Sequence, residues 1–120
     1  MKMTTTTSPN VLAPVALHRC LSDETRWQVM MLLLDSGELC VCELMSALSI
    51  SQPKLSRHLA VLRQQGLVAD RRQGQWVFYR CADALPVWAQ DVLHASRRAS
   101  DKRMAELHAR LVPIGGTACC

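Results

Sequence analysis

A chain of 120 residues, 49% of them hydrophobic, suffices for one globular domain and leaves little room for a second. Its net charge of +4 and pI near 8.9 favour a polyanionic partner without demanding one. No stretch approaches the eighteen or so consecutive apolar residues of a membrane span, and the start of the chain, with its Thr4 to Thr7 run, has no apolar core of an export signal. A cytoplasmic protein without a membrane partner is expected, and in that reducing compartment the six cysteines read as metal ligands, redox thiols or core residues rather than as a disulfide framework.

Residues 1–10 are polar and expected to form a flexible tail. Val11 to Cys20 reads as a first helix, with Pro14 tolerated near its start. Ser22 has the character of an N-cap, with Asp23 and Glu24 in the first turn where the helix dipole favours them. The helix that follows should run to Asp35 and stop at Gly37. Its interior from Trp27 to Leu34 is apolar nearly all round, as expected of a central core helix. Leu39 to Leu48 reads as a short third helix with Leu44 and Leu48 inward. Ser49, Ile50 and Ser51 make a turn, Ser51 caps the next helix, and Leu55, Leu59 and Leu62 form an inward stripe that ends at Gly66. Two helices joined by three residues predict a helix-turn-helix.

Beyond Gly66 the period changes to two. Leu67 to Ala69 and Trp76 to Arg80 read as the strands of a hairpin whose tip, Arg71-Arg72-Gln73-Gly74-Gln75, is the most basic point of the chain. One last helix should start near Pro86 and run past Arg110, with Val87, Trp88, Val92, Ala95, Ala99 and Leu107 along one side, serving a second subunit. The expected architecture is mainly α with a small β-hairpin wing. The winged helix-turn-helix and dimerisation domain covers residues 11–110, and residues 111–120 form a flexible tail carrying Cys119 and Cys120.

The leucine stripe of the fourth helix leaves Gln52, Lys54, Ser56, Arg57, His58 and Arg63 on its other surface, mixing donors suited to base edges with cations suited to phosphates. Contacts in a helix-turn-helix come mainly from the first turns of the second helix, which favours Gln52, Lys54, Ser56 and Arg57, with His58 and Arg63 further along. Arg71, Arg72, Gln73 and Gln75 at the hairpin tip would touch backbone or minor groove beside it. About six cations per chain hold duplex DNA weakly at physiological salt. A two-fold dimer doubles them and reads half-sites one helical turn apart.

The run ELCVCELMSALSISQPKLSRHLAVLRQQGLV, followed by DRRQGQWVFYR, resembles the arsenic-responsive repressors of the ArsR/SmtB winged-helix family over about Ser22 to Trp88. The resemblance implies a homodimeric repressor on operator DNA that leaves when trivalent arsenic or antimony, acting as inducer, binds thiolates near the first helix of the DNA-reading pair. Family members commonly place a third cysteine three positions beyond the CVC pair, where this chain has Met45.

Cys40 and Cys42 thus supply two soft ligands, and arsenite typically takes three. A third sulfur could come from Cys119 or Cys120, from Cys20 or from a cellular thiol, with the tail pair favoured. Cys20 and Cys81 read as core residues, and Met45 as core filling. Read as one continuous helix, the segment would hold Cys40 and Cys42 about 200° apart, so that ligation would have to unwind its start. Asp91 and His94 are candidates for a zinc site at a dimer interface. Rival readings are a Cd, Pb or Zn sensor of the same family, or a thiol arsenate reductase or arsenic carrier. No nucleophile and base stand in an arrangement that would make the chain an enzyme, and no catalytic cofactor is expected.

Overall fold

The structure, a computed structural model, describes residues 12–111. The two expected tails, and with them Cys119 and Cys120, lie outside the described residues apart from Leu111. In chain order the elements are α1 (Pro14–Leu21), α2 (Glu24–Ser36), β1 (Glu38–Cys40), α3 (Val41–Leu48), α4 (Gln52–Gln64), β2 (Val68–Gln73), β3 (Trp76–Cys81), α5 (Val87–Arg98) and α6 (Asp101–Arg110). Pro14 opens α1, where its missing N–H would have had no helical partner anyway.

Asp23, not Ser22, is the N-cap of α2. Its Oδ1 accepts the Arg26 N–H at 3.0 Å, while the Ser22 hydroxyl turns back to close α1 on the Arg19 carbonyl at 2.7 Å. Val29 to Leu33 are buried without a break, so α2 is the axis around which the other helices pack. Gly37 ends it with φ +83°, a conformation that side-chain-bearing residues avoid. Trp27 is tied to α5 by a 2.8 Å hydrogen bond from Nε1 to Ser96 Oγ. At the far end Asp35 accepts Arg97 Nε of α5 at 2.7 Å and meets His108 Nε2 of α6 at 2.8 Å.

Two further expectations are corrected. Leu39 to Leu48 is not one helix: Glu38–Cys40 is a third strand, antiparallel to β3 with Glu38 opposite Arg80, Leu39 opposite Tyr79 and Cys40 opposite Phe78. The sheet order is β1-β3-β2. Pairing with the hairpin satisfies the β1 backbone, and the helix starts only at Val41. Nor is the last helix continuous. It breaks at Ala99 and Ser100, where the Ser100 hydroxyl bonds the Arg97 carbonyl at 2.9 Å. The break redirects α6 so that Met104 and Leu107 are fully buried. Ala89 and Leu93 fill the α5 core positions, while Val87 is 72% exposed. Leu55, Leu59 and Leu62 are buried as the stripe predicts. Among the described residues, no buried side-chain nitrogen or oxygen lacks a hydrogen-bond partner.

Candidate nucleic-acid interface and thiol site

Helices α3 and α4 meet through Ser49, Ile50 and Ser51. Ser49 takes the left-handed φ of +56° that turns the chain, and the Ser51 side chain caps α4 by accepting the Lys54 N–H at 3.4 Å. Because the buried leucines fix the rotation of α4, Gln52, Lys54, Ser56 and Arg57 fall on its open side, and all four are exposed. Among the described residues Lys54, Arg57 and Arg72 have no carboxylate partner.

His58 and Arg63 have partners within the chain. His58 is turned inward, 17% exposed, with Nδ1 3.3 Å from Arg26 Nη1 and 3.8 Å from Asp23 Oδ1; Arg26 Nε in turn donates to the Cys20 carbonyl at 3.0 Å. It braces α4 against the α1–α2 corner. Arg63 pairs with Asp70 of β2 at 3.2 Å.

The hairpin turns at Gly74, φ +62°, and carries Arg72, Gln73 and Gln75 exposed near its tip. Between α4 and this wing lies a cleft of about 320 Å³ lined by Gln52, Ser56, Arg63, Asp70, Arg72 and Tyr79. Burial, then the Asp70 carboxylate, pushes the Tyr79 phenol up. Arg71 does not point from the tip as a loose cation. Its Nε and Nη2 grip both carboxylate oxygens of Glu38 at 2.8 and 2.7 Å, its Nη1 donates to Gln73 Oε1 at 2.8 Å, and its guanidinium lies 4.5 Å from the Phe78 ring centre. The hydrogen bond from Arg71 holds the Glu38 carboxyl below its ordinary range. Sequence reasoning missed Glu38, Phe78 and Tyr79, since nothing local marks a pairing between residues thirty or more positions apart.

Cys40 ends β1 and serves as the N-cap of α3. Its backbone is extended (φ −83°, ψ 164°), the Glu43 carboxylate accepts its N–H at 2.9 Å, the Glu43 N–H faces its sulfur, and its side chain is fully buried. Cys42 lies in the first turn of α3 and is half-buried. The 200° separation expected of two thiols on one helix therefore does not apply: they flank a strand-to-helix junction. Cys42 is disulfide-bonded in the structure, so thiolate chemistry at this junction belongs to the reduced protein.

Met45 packs against the core. Cys20 is buried, and burial alone pushes the Cys81 thiol up to about 11, so both behave as packing residues. Asp91 and His94 are exposed on α5, and among the described residues no three His, Cys, Asp or Glu side chains cluster closely enough to hold a metal ion. Nor is any described helix long and apolar enough to cross a membrane.

The profile of the family described as "Bacterial regulatory protein, arsR family" matches residues 23–70. The chain is 45% identical over 115 residues to the arsenic resistance transcriptional regulator ArsR2 of Pseudomonas putida, covering 92% of this chain and all of that protein. It is 47% identical over 93 residues to the arsenical resistance operon repressor of Escherichia coli, covering 78% and 80%. Reduced HlyU from Vibrio cholerae superposes with a TM-score of 0.65 at 38% identity, over 73% of this chain and 88% of that one. The transcriptional repressor BigR from Xylella fastidiosa does so with 0.62 at 33% identity, over 71% and 83%. Its relatives are named transcriptional regulators, not enzymes, and this chain belongs to the ArsR family of helix-turn-helix regulators.

Proposed function

We propose that the chain is an arsenic-responsive repressor: a homodimer that holds the operator of an arsenic-resistance operon and leaves it when trivalent arsenic or antimony binds its thiolates. The observation that carries this reading is the placement of Cys40 and Cys42 at the two sides of the β1–α3 junction, at the entrance to the helix-turn-helix. The names of the Pseudomonas putida and Escherichia coli relatives support arsenic as the signal.

On DNA, Gln52 and Ser56 present groups to base edges, Lys54, Arg57 and Arg72 neutralise phosphates, and Gln73 and Gln75 bring the wing tip to the adjacent groove. His58 positions α4 from within. A homodimer doubles these cations. A trivalent arsenic centre supplies three bonds for soft ligands. In the reduced protein Cys40 and Cys42 offer two sulfurs, the donor type it selects, and Cys119 or Cys120 would offer the third. A methylated arsenical needs only two.

The test is a reduced complex of the full chain with fluorescent operator, titrated with arsenite, methylarsenite, antimonite, Cd and Zn. Trivalent metalloids should free the DNA, and a variant with Cys40→Ser and Cys42→Ser should bind operator as the parent does yet stay bound. Release by Cd or Zn alone would make the protein a divalent-metal sensor, and arsenite release of the double variant would refute the thiol assignment.

A further inference from the structure

Strand register places the thiol residue and the wing in one row. Cys40 of β1 stands directly opposite Phe78 of β3, and Phe78 stands directly opposite Arg71 of β2. Directly paired residues project to the same face of a sheet, as do residues two apart on a strand, so Glu38, Cys40, Phe78 and Arg71 share one face. The opposite face, with Asp70, Arg72, Val77 and Tyr79, lines the cleft against α4.

On the shared face the Arg71 guanidinium crosses the Phe78 ring and closes on both oxygens of Glu38. The two ends of the hairpin row are thereby fastened to the strand that ends in Cys40. β1 is only three residues long and has three pairings with β3, so its backbone ladder alone holds it weakly. The fork from Arg71 adds a two-point contact from the far strand, and a planar guanidinium makes that contact only while β1 and β2 keep their spacing across β3.

We propose that Glu38 and Arg71 are positioning residues that tie the wing to the strand carrying Cys40, so that filling the thiol site displaces the wing. This rests on the metalloid reading above and assigns to Arg71 a role other than the phosphate contact its position in the sequence suggests. Cys40 is the fully buried member of this row, and a shift of its sulfur toward Cys42 moves the end of β1. Glu38, two residues back, carries that shift to Arg71, and Arg71 carries it to β2. The cleft between α4 and the wing changes shape without any change in α4 itself.

The experiment uses the reduced full chain, with operator affinity measured with and without saturating arsenite and arsenite binding followed separately by the sulfur–arsenic ultraviolet band without DNA. Wild type, Glu38→Gln, Arg71→Gln and Arg71→Lys are compared. Arg71→Lys keeps a cation for a phosphate but loses the fork. The expected result is unchanged arsenite binding in all four proteins. All three variants should retain operator at arsenite levels that empty the wild type, the loss of affinity on arsenite binding shrinking by about tenfold, within the usual range of coupling between sites. Hydrogen exchange at residues 76–81 should rise with arsenite in wild type and stay flat in the variants.

The proposal is overturned if Arg71→Gln weakens operator binding with a reduced salt slope while arsenite still releases it fully, which would make Arg71 a phosphate ligand. Variants that release as wild type does would overturn it as well. A wild type that arsenite never releases would instead sink the metalloid reading, and that is seen before any variant is made.

Discussion

Arg57→Gln is the substitution that most directly tests how the interface meets DNA. Arg57 sits on the open side of α4 with no carboxylate partner among the described residues, so on binding its full charge displaces counterions from the duplex. Each phosphate neutralised contributes about 0.9 to the slope of log affinity against log salt, and the homodimer proposed above would lose two such contacts, so the slope should fall by about 1.8. Extrapolated from 1 M to 0.15 M salt, that is a loss of about thirtyfold in affinity at the lower salt. Arg63, with its charge shared at 3.2 Å with Asp70, should lose distinctly less slope when changed to Gln. Fluorescence anisotropy on operator DNA across a salt series reads both numbers. Equal slopes lost at Arg57 and Arg63 would show that the ion pair opens freely on DNA, and the ranking by pairing drawn from the structure would be wrong.

Two further outcomes follow from titratable groups away from the interface. Burial raises the Asp35 carboxyl, but the hydrogen bonds from Arg97 and His108 outweigh it and hold the group below its ordinary range. Its contribution is therefore full above the unfolded carboxylate value of about 3.9 and disappears as pH falls through the lower folded value. Asp35→Asn should cost about 1 to 2 kcal/mol near neutral pH, several degrees in Tm, with the gap to wild type closing in acid; a gap independent of pH down to acid denaturation would refute the ionic account. Cys81, pushed up to about 11, should resist alkylation by iodoacetamide at pH 8 in the native protein and react on unfolding, as read by mass spectrometry of the labelled peptides.

What was legible in the sequence was what short-range chemistry decides. Ser51 caps its own helix, Leu55, Leu59 and Leu62 recur at helical spacing, and Gly74 supplies the left-handed turn of the hairpin, so the helix-turn-helix and wing could be read before any coordinates. Glu38–Cys40 escaped because three residues show no alternation, and because their partners lie about forty positions later in β3. The break at Ala99 and Ser100 carries no Gly or Pro, and its cause is tertiary: Arg97 is anchored to Asp35, and Met104 and Leu107 reach the core only if α6 swings away. The partners of His58 and Arg71 were not legible, because Asp23, Arg26 and Glu38, which engage them, are distant in sequence and adjacent only in the fold. The sulfur pair was visible, but its geometry was not, since a strand-to-helix junction and a continuous helix place residues 40 and 42 very differently.

Among the described residues the sheet has two border strands, β1 and β2, and neither invites a stray strand. β1 offers only three residues for pairing, and β2 lines the other border with Asp70, Arg71, Arg72 and Gln73, charges and amides that would have to be desolvated against an incoming chain. Borders of this kind let a protein reach high concentration without its exposed strands seeding fibrils.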